Sequence, residues 1–475
     1  MADICIIYAH PNKPLVRKLH DILAARYSVW WDELIHSGDY RAEIERQLEN
    51  SKCVIPVWCR VSRSDGNVID EATHANRHGI KLLPVKLENV EPPLGFGSLQ
   101  TVNLVGWKGD PDAPGIAELL TNLERAVQAK PPLLRRAQNL TIAGRQFELP
   151  LFFRSVSSHE TAITPEAAVR ALRLISPDAL LVSAYDVANE SDEGRQNMLE
   201  DLEACRKAGT VILLDSGNYE AYRKGDSSWT AERLWKSFSE APHDVAFCFD
   251  DLAPPPDVET TVRRIVAAVE RDSKHTSAMV LPIVHAPREG DGTIIADRAP
   301  EVIKRVAREL RPVLIAIPER ELGSGILERA RMVYLIRRAL DELGFYQPLH
   351  LLGTGNPLTI AILAAVGADC FDGLEWCRTV VDHETGRLYH FHQYDFFAWQ
   401  TEMSDSRLVQ EAARSGQVGY TGKVIFHNLD FFATWMKELR EHLRNGKIER
   451  FLSVKLPGGT DDMLTLEAKV PEVFG

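Results

Sequence analysis

Four carboxylates stand where side chains could do chemistry. Asp215, Asp250 and Asp372 each follow an apolar, strand-like run. Glu71, preceded by Asp70, stands at the start of a predicted helix, where an acid is favoured by the helix dipole even without catalysis. Carboxylates at such places can act as nucleophiles or as general acids and bases. Other features say less. Asp250-Asp251 has no third convergent metal ligand, and Gly353–Pro357 (GTGNP) reads first as a tight turn. His390 and His392 alternate on a strand and read as solvated or packed side chains.

The elements that must hold these residues fall into two series. In the first, strands Asp3–Ala9, Tyr27–Trp31, Cys53–Cys59 and Lys81–Leu87 alternate with helices Lys13–Ala25, Ala42–Leu48, Val68–Arg77 and Ile116–Val127. This rhythm predicts an α/β fold with a covered parallel sheet. Gln128–Arg136 (QAKPPLLRR) reads as the connection, giving residues 1–128 as one domain, 129–139 as linker and 140–475 as the other. After a β-rich opening (Leu140–Ala143, then Phe147–Phe153), strands recur at Ala179–Ala184, Thr210–Leu214, Val245–Phe249, Ala278–His285, Val313–Ile317 and His350–Leu352. Strand recurrence every ~30–40 residues, with helical patterns between, predicts a closed (β/α)8 barrel, whose sites lie at the C-terminal ends of the strands. All three aspartates follow strands and so fall on that face.

The 475 residues are 45% hydrophobic and 26% charged, which excludes a disordered chain. No run is apolar enough to span a membrane, and the N-terminus lacks the features of a signal peptide. Seven cysteines without a CxxC pair argue for thiols in a reducing cytoplasm. The net charge is −12, of which residues 1–130 carry −2, so the bulk of the second domain opposes polyanions.

Motifs in the first domain form an ordered set: IIYAH, VWWDELIHSGD, SKCVIPVWCRVSRSDGNVIDEATHA, IKLLPVKLENVEPP and Trp107. This set resembles a bacterial TIR domain, which implies a flavodoxin-like sheet and cleavage of the nicotinamide–ribose bond of NAD⁺. Glu71 stands at the catalytic position of that family. A carboxylate near the ribose can hold its hydroxyls and stabilise an oxocarbenium-like state. The resemblance implies dinucleotide contacts from Tyr8, His10, Trp31 and Asp32, with Trp30 another aromatic candidate. Neighbouring tryptophans on a strand face opposite ways, so at most one can line the site.

The second domain carries LTIAGRQFELPLFFRSVSS, LLDSGNYEAY, FCFDDL, LPIVHAP, the long stretch His350–Arg378 and an HNL-containing helix near residue 428. It resembles tRNA-guanine transglycosylase, a barrel enzyme that exchanges guanine for a 7-deazaguanine base. The resemblance implies Asp372 as nucleophile and Asp215 as general acid or base. Asp250 would hold a purine-like base, Tyr219 would stack on it, and Arg378 would lie beside the backbone. There are departures. Asn218 replaces a glycine, Glu220 replaces a glutamine, and His285 stands for the glutamine of a loop that touches the base. The family's zinc cluster has no cysteines here between residues 379 and 426, although His427 survives. A zinc site needs about four ligands, so no zinc or other cofactor is expected, and His427 reads as a packed or capping histidine.

Together these readings imply an NAD⁺ hydrolase, active through homo-oligomers of its TIR domain and governed by a sensor barrel, in antiphage defence. Its ligands would be NAD⁺ at the first domain and a purine-like base, nucleoside or modified nucleic acid at the second. The other reading makes the barrel a base-exchanging transglycosylase and the TIR domain an association module.

Overall fold

Cys53–Trp58 is buried at every residue and forms the central strand of the N-terminal sheet. The computed structural model describes residues 2–31, 40–77, 80–97, 99–127, 134 and 136–474. The N-terminal elements run β1 (Ile4–Ile7), α1 (Lys13–Ala24), β2 (Val29–Trp30), α2 (Tyr40–Asn50), β3 (Cys53–Trp58), α3 (Gly66–Arg77), β4 (Lys81–Leu82), β5 (Val85–Lys86), β6 (Val102–Asn103) and α4 (Pro114–Val127). All pairings are parallel, in the order β2-β1-β3-β5-β6 with β4 also beside β3. This is the flavodoxin-like order if β4 and β5 count as one strand. Lys81–Leu87 is broken at Pro84, which has no N–H for the ladder. β6 is a strand that the hydrophobic pattern did not reveal.

The side-chain period of two divides β1 between two cores. Ile4, Ile6 and Tyr8 pack with Val16 and Leu19 of α1 and Ile116 and Leu119 of α4. Cys5, Ile7 and Ala9 face Ile44 and Leu48 of α2 and Val68 and Ala72 of α3.

The chain divides into two compact units: residues 1–132 with 449–464, and residues 133–448 with 465–474. Most of the expected linker lies outside the described residues. Residues 449–464, read from sequence as part of the second domain, group with the first unit, because proximity along the chain does not fix proximity in space.

The second unit starts with a hairpin, β7 (Asn139–Ile142) and β8 (Arg145–Glu148). The barrel strands are β9 (Leu151–Val156), β10 (Ala179–Ser183), β11 (Val211–Asp215), β12 (Val245–Phe247), β13 (Met279–Leu281), β14 (Ile315–Pro318), β15 (Leu349–Leu352) and β16 (Cys370–Gly373). Between them run α5 (Pro165–Ile175), α6 (Ala184–Asn189), α7 (Asp192–Lys207), α8 (Asn218–Lys224), α9 (Ala231–Glu240), α10 (Val258–Asp272), α11 (Ala299–Leu310), α12 (Ile326–Asp341) and α13 (Pro357–Ala365). After β16 come α14 (Glu375–Arg378), the antiparallel pair β17 (Thr379–Val381) and β18 (Leu388–His390), α15 (Ala398–Glu402), α16 (Arg407–Arg414) and the long α17 (Tyr420–Arg444).

The eight barrel strands are parallel in the order β13-β12-β11-β10-β9-β16-β15-β14. A parallel bridge between Ile283 and Ala316 closes the last seam. Inward positions carry a packed apolar core that includes Phe153, Leu181, Leu213, Phe247 and Cys370. Two residues further along three strands the same parity delivers polar groups: Ser155, Asp215 and Asp372. Thus the pattern that fills the barrel also lifts carboxylates to its C-terminal mouth. Among the described residues no helix is long and apolar enough to cross a membrane.

Candidate active sites

The barrel mouth holds a cavity of about 380 Å³ lined by Asp215, Asp250 and Asp372, with Tyr219, His285 and Arg378 also on its wall. Its volume falls in the range of small-molecule sites. Asp372, on β16, is only 7% exposed and is held from three sides. Ser155 Oγ donates to its Oδ2 at 2.9 Å; Gly353 N donates to Oδ1 at 3.1 Å, and His350 Nε2 lies 2.9 Å from the same oxygen. The glycine turn thus contributes a backbone donor to Asp372. Its Asn356 caps α13 through Leu358 N and Thr359 N.

Asp215 ends β11 and accepts Gly217 N at 3.0 Å. Burial, reinforced by the charges of Glu220 and Asp250, pushes its carboxyl well above the usual range. Burial therefore favours its protonated form over the carboxylate, the direction a general acid needs. Gly217 has φ +69° and a side chain there would meet Tyr185 N at 2.4 Å, so the turn after Asp215 requires glycine.

Asp250 follows β12. Ser216 Oγ donates to its Oδ1 at 2.7 Å, and Asn218 Nδ2 donates to its carbonyl at 2.8 Å. His285 Nε2 lies 2.8 Å from Oδ2, while His285 Nδ1 lies 2.9 Å from Glu321 Oε1. Glu321 also receives Ala286 N and Arg288 at 2.8 Å each. Burial alone would keep His285 neutral, but the two carboxylates overcome it and lift the imidazolium to about 9. Burial likewise opposes the charge on Asp250 and Glu321, yet His285 holds both below the usual carboxylate range. At neutral pH this is a buried carboxylate–imidazolium–carboxylate chain, and both ring nitrogens are donors already spent on protein.

Tyr219, on α8, is half-buried, with the Arg320 guanidinium 4.1 Å from its ring centre. Arg320 thus covers one face of the Tyr219 ring. Arg378 is exposed and donates to Glu375 Oε1 at 2.5 Å. Asp251 turns outward to Arg264 at 3.0 Å.

His427 on α17 has both nitrogens engaged: Nδ1 with Thr401 Oγ1 at 2.8 Å and Nε2 with the Val381 carbonyl at 2.6 Å. Burial and the neighbouring His383 depress it to about 3, so it is a neutral, packed group. These residues do not fit a zinc centre. No cluster of three metal-type ligands occurs among the described residues.

In the first unit a smaller cavity of about 170 Å³ lies at the end of β1, between Trp30 of β2 and the start of α3, on the side where ligands of open α/β sheets bind. Glu71 of α3, Tyr8, His10 and Trp30 line it. Trp31 does not. It packs in the opposite core, with its ring 5.8 Å from Tyr8 and 5.3 Å from His20. Strand alternation puts the two tryptophans on opposite faces, and the packing of the helices makes Trp30 the one at the cavity. Asp32 lies outside the described residues.

A family model described as queuine tRNA-ribosyltransferase matches residues 133–383, more than half of the chain. The chain belongs to this family. A TIR domain model matches residues 4–120, so the protein is a TIR domain fused to a queuine tRNA-ribosyltransferase domain. Similar curated proteins are archaeal tRNA-guanine(15) transglycosylases. The Methanopyrus kandleri protein is 24% identical over 252 residues, covering 51% of each chain. That of Haloarcula marismortui is 27% identical over 250 residues, 50% of this chain and 48% of the relative. The Pyrococcus furiosus protein is 18% identical over 328 residues, 67% and 54%. The chain spans about half the length of the curated relatives it matches.

Within the queuine tRNA-ribosyltransferase domain the structure brings Asp215, Asp250, Asp372, Tyr219, His285 and Arg378 to one cavity. Sequence reasoning missed Ser155 and His350, which grip Asp372, and Glu321 and Arg320. Ser155 could have been found by extending the inward parity of Leu151 and Phe153. Nothing local marks Glu321, which reaches His285 from the turn after β14.

Proposed function

We propose that the barrel is a glycosyl-transfer site for a purine-like base carried on a nucleoside or nucleic acid, and that the TIR domain is an NAD⁺ glycohydrolase whose output barrel occupancy governs. The observation that carries this reading is the convergence of Asp215, Asp250 and Asp372 on one cavity, each held by a different set of hydrogen bonds. Asp250 is ionised and accepts hydrogen bonds from the N–H edge of a base. Asp372, oriented by Ser155, His350 and Gly353, attacks the anomeric carbon, and the C1′–N bond breaks. The departing base takes the proton of Asp215. An incoming base returns that proton and displaces Asp372 in the reverse sense.

In the first domain Glu71 faces the ribose of NAD⁺ and stabilises the oxocarbenium-like state as nicotinamide leaves. Both domains would then break bonds between a sugar carbon and a ring nitrogen. Coupling a base sensor to NAD⁺ depletion suits antiphage defence, with TIR domains of neighbouring copies assembling. A second reading keeps the barrel as the working enzyme and the TIR domain as an association module. It is favoured by the curated relatives, which are named for transglycosylation and not for NAD⁺ cleavage.

The test is nicotinamide release from NAD⁺ by the full chain, with and without guanine-containing nucleic acid, against Glu71→Gln and Asp372→Asn. Release that is lost in Glu71→Gln and altered by nucleic acid supports the first reading. Exchange of labelled guanine lost in Asp372→Asn, with no nicotinamide release by any protein, supports the second.

A further inference from the structure

Glu220 is an acid in the barrel cavity that base exchange does not use. It stands in the first turn of α8 and lines the same cavity as Asp215 and Asp372. Its Oε2 is shut off from solvent and has no hydrogen-bond partner. Such an oxygen is unfavourable unless a water or a ligand hydroxyl completes it. Burial, with the nearby charge of Asp186, lifts its carboxyl to about 7, so both protonation states are populated at neutral pH. Glu220 is also the strongest like-charge neighbour of Asp215. Exchange needs one acid/base group, because the proton given to the departing base comes back with the incoming one. Two carboxyls lining one cavity beside Asp372, one of them with a buried oxygen that no protein group completes, instead suit a reaction that moves protons in two places.

We propose that Glu220 activates a water molecule against the glycosyl group held on Asp372, so that the barrel releases a purine-like base by hydrolysis. This rests on the glycosyl-transfer reading of the barrel. First, Asp372 bonds to C1′, the C1′–N pair leaves with the base, and Asp215 protonates it. Second, water bonds to C1′, Glu220 takes its proton, and the C1′–O bond to Asp372 breaks to restore the carboxylate. Glu220 then passes the proton to Asp215. Water is consumed, and one base and one reducing sugar are formed.

The experiment uses the full chain with tRNA and with single-stranded DNA, each carrying radiolabelled guanine. Base release is measured without added base, and exchange with excess unlabelled guanine. Removing a general base typically costs 10²–10⁴-fold. The expected result is wild-type release without an acceptor, and a release-to-exchange ratio at least ~100-fold lower in Glu220→Gln. Sodium azide, which needs no deprotonation, should restore turnover in the variant as a glycosyl azide. An unchanged ratio, or wild-type exchange without any release, overturns the inference while leaving the barrel reading intact. Absence of bond cleavage by either protein, under both conditions, overturns the barrel reading itself and the inference with it.

Discussion

Replacing His285 by glutamine removes the positive centre between Asp250 and Glu321, and two lines of reasoning give the cost. Taking one partner from a buried ion pair costs about 3–5 kcal/mol. The lower figure applies here, because Glu321 keeps Arg288 and Ala286 N, and Asp250 keeps Ser216. Independently, a histidine raised from 6.5 to about 9 is linked to roughly 3 kcal/mol of stability at ~1.4 kcal/mol per unit. These are the same interaction counted from its two sides. The folded value lies above the unfolded one, so the contribution is complete below pH 6.5 and disappears as pH rises through 9. Glu220 works in a lower window. Its folded value is also raised, but it is an acid, so it subtracts stability as pH rises from 4.5 to about 7. Comparing wild type with His285→Gln cancels that term. Urea unfolding of the barrel, followed between pH 6 and pH 10, should show the variant about 3 kcal/mol less stable at pH 6, with the gap falling below about 1 kcal/mol by pH 10. A gap that does not change with pH would mean that His285 is neutral and the charged chain does not exist.

Other consequences follow from the same geometry. Ser155→Ala removes one hydrogen bond to the Asp372 carboxylate and should slow glycosyl transfer by about 10–100-fold, read in the guanine exchange assay. Trp30→Ala and Trp31→Ala each empty a core position and should each cost about 3–5 kcal/mol in thermal unfolding, but only Trp30 lines the cavity, so the milder Trp30→Phe should impair nicotinamide release while Trp31→Phe should not. A chelator such as EDTA should leave the unfolding midpoint of the barrel unchanged, because both nitrogens of His427 bond to protein.

The barrel was legible in sequence because its strands are short apolar runs separated by amphipathic helices. The aspartates could be placed at its mouth because Val211, Leu213 and Asp215 share one parity. Three of the described strands escaped: β6 is two residues long, too short for a pattern, and β16 and β17 lie in or beside a motif read for its aspartate. The tryptophan pair shows a different limit: alternation says that only one side chain faces the cavity, but which one depends on helices packing from both sides. His285 was seen as a departure, yet its charge could not be read. That charge depends on Glu321, 36 positions away and brought near only by barrel closure. The grip of His350 and Ser155 on Asp372 is likewise made across strands, with 22 and 217 positions between partners.

The most direct test of glycosyl transfer at Asp372 is mass spectrometry of the intact protein after quenching with guanine-containing tRNA or single-stranded DNA. A covalent adduct that maps to Asp372, and is absent in Asp372→Asn, is the predicted result. Labelled guanine exchanged at full rate by Asp372→Asn, with no adduct on the wild-type chain, would contradict it.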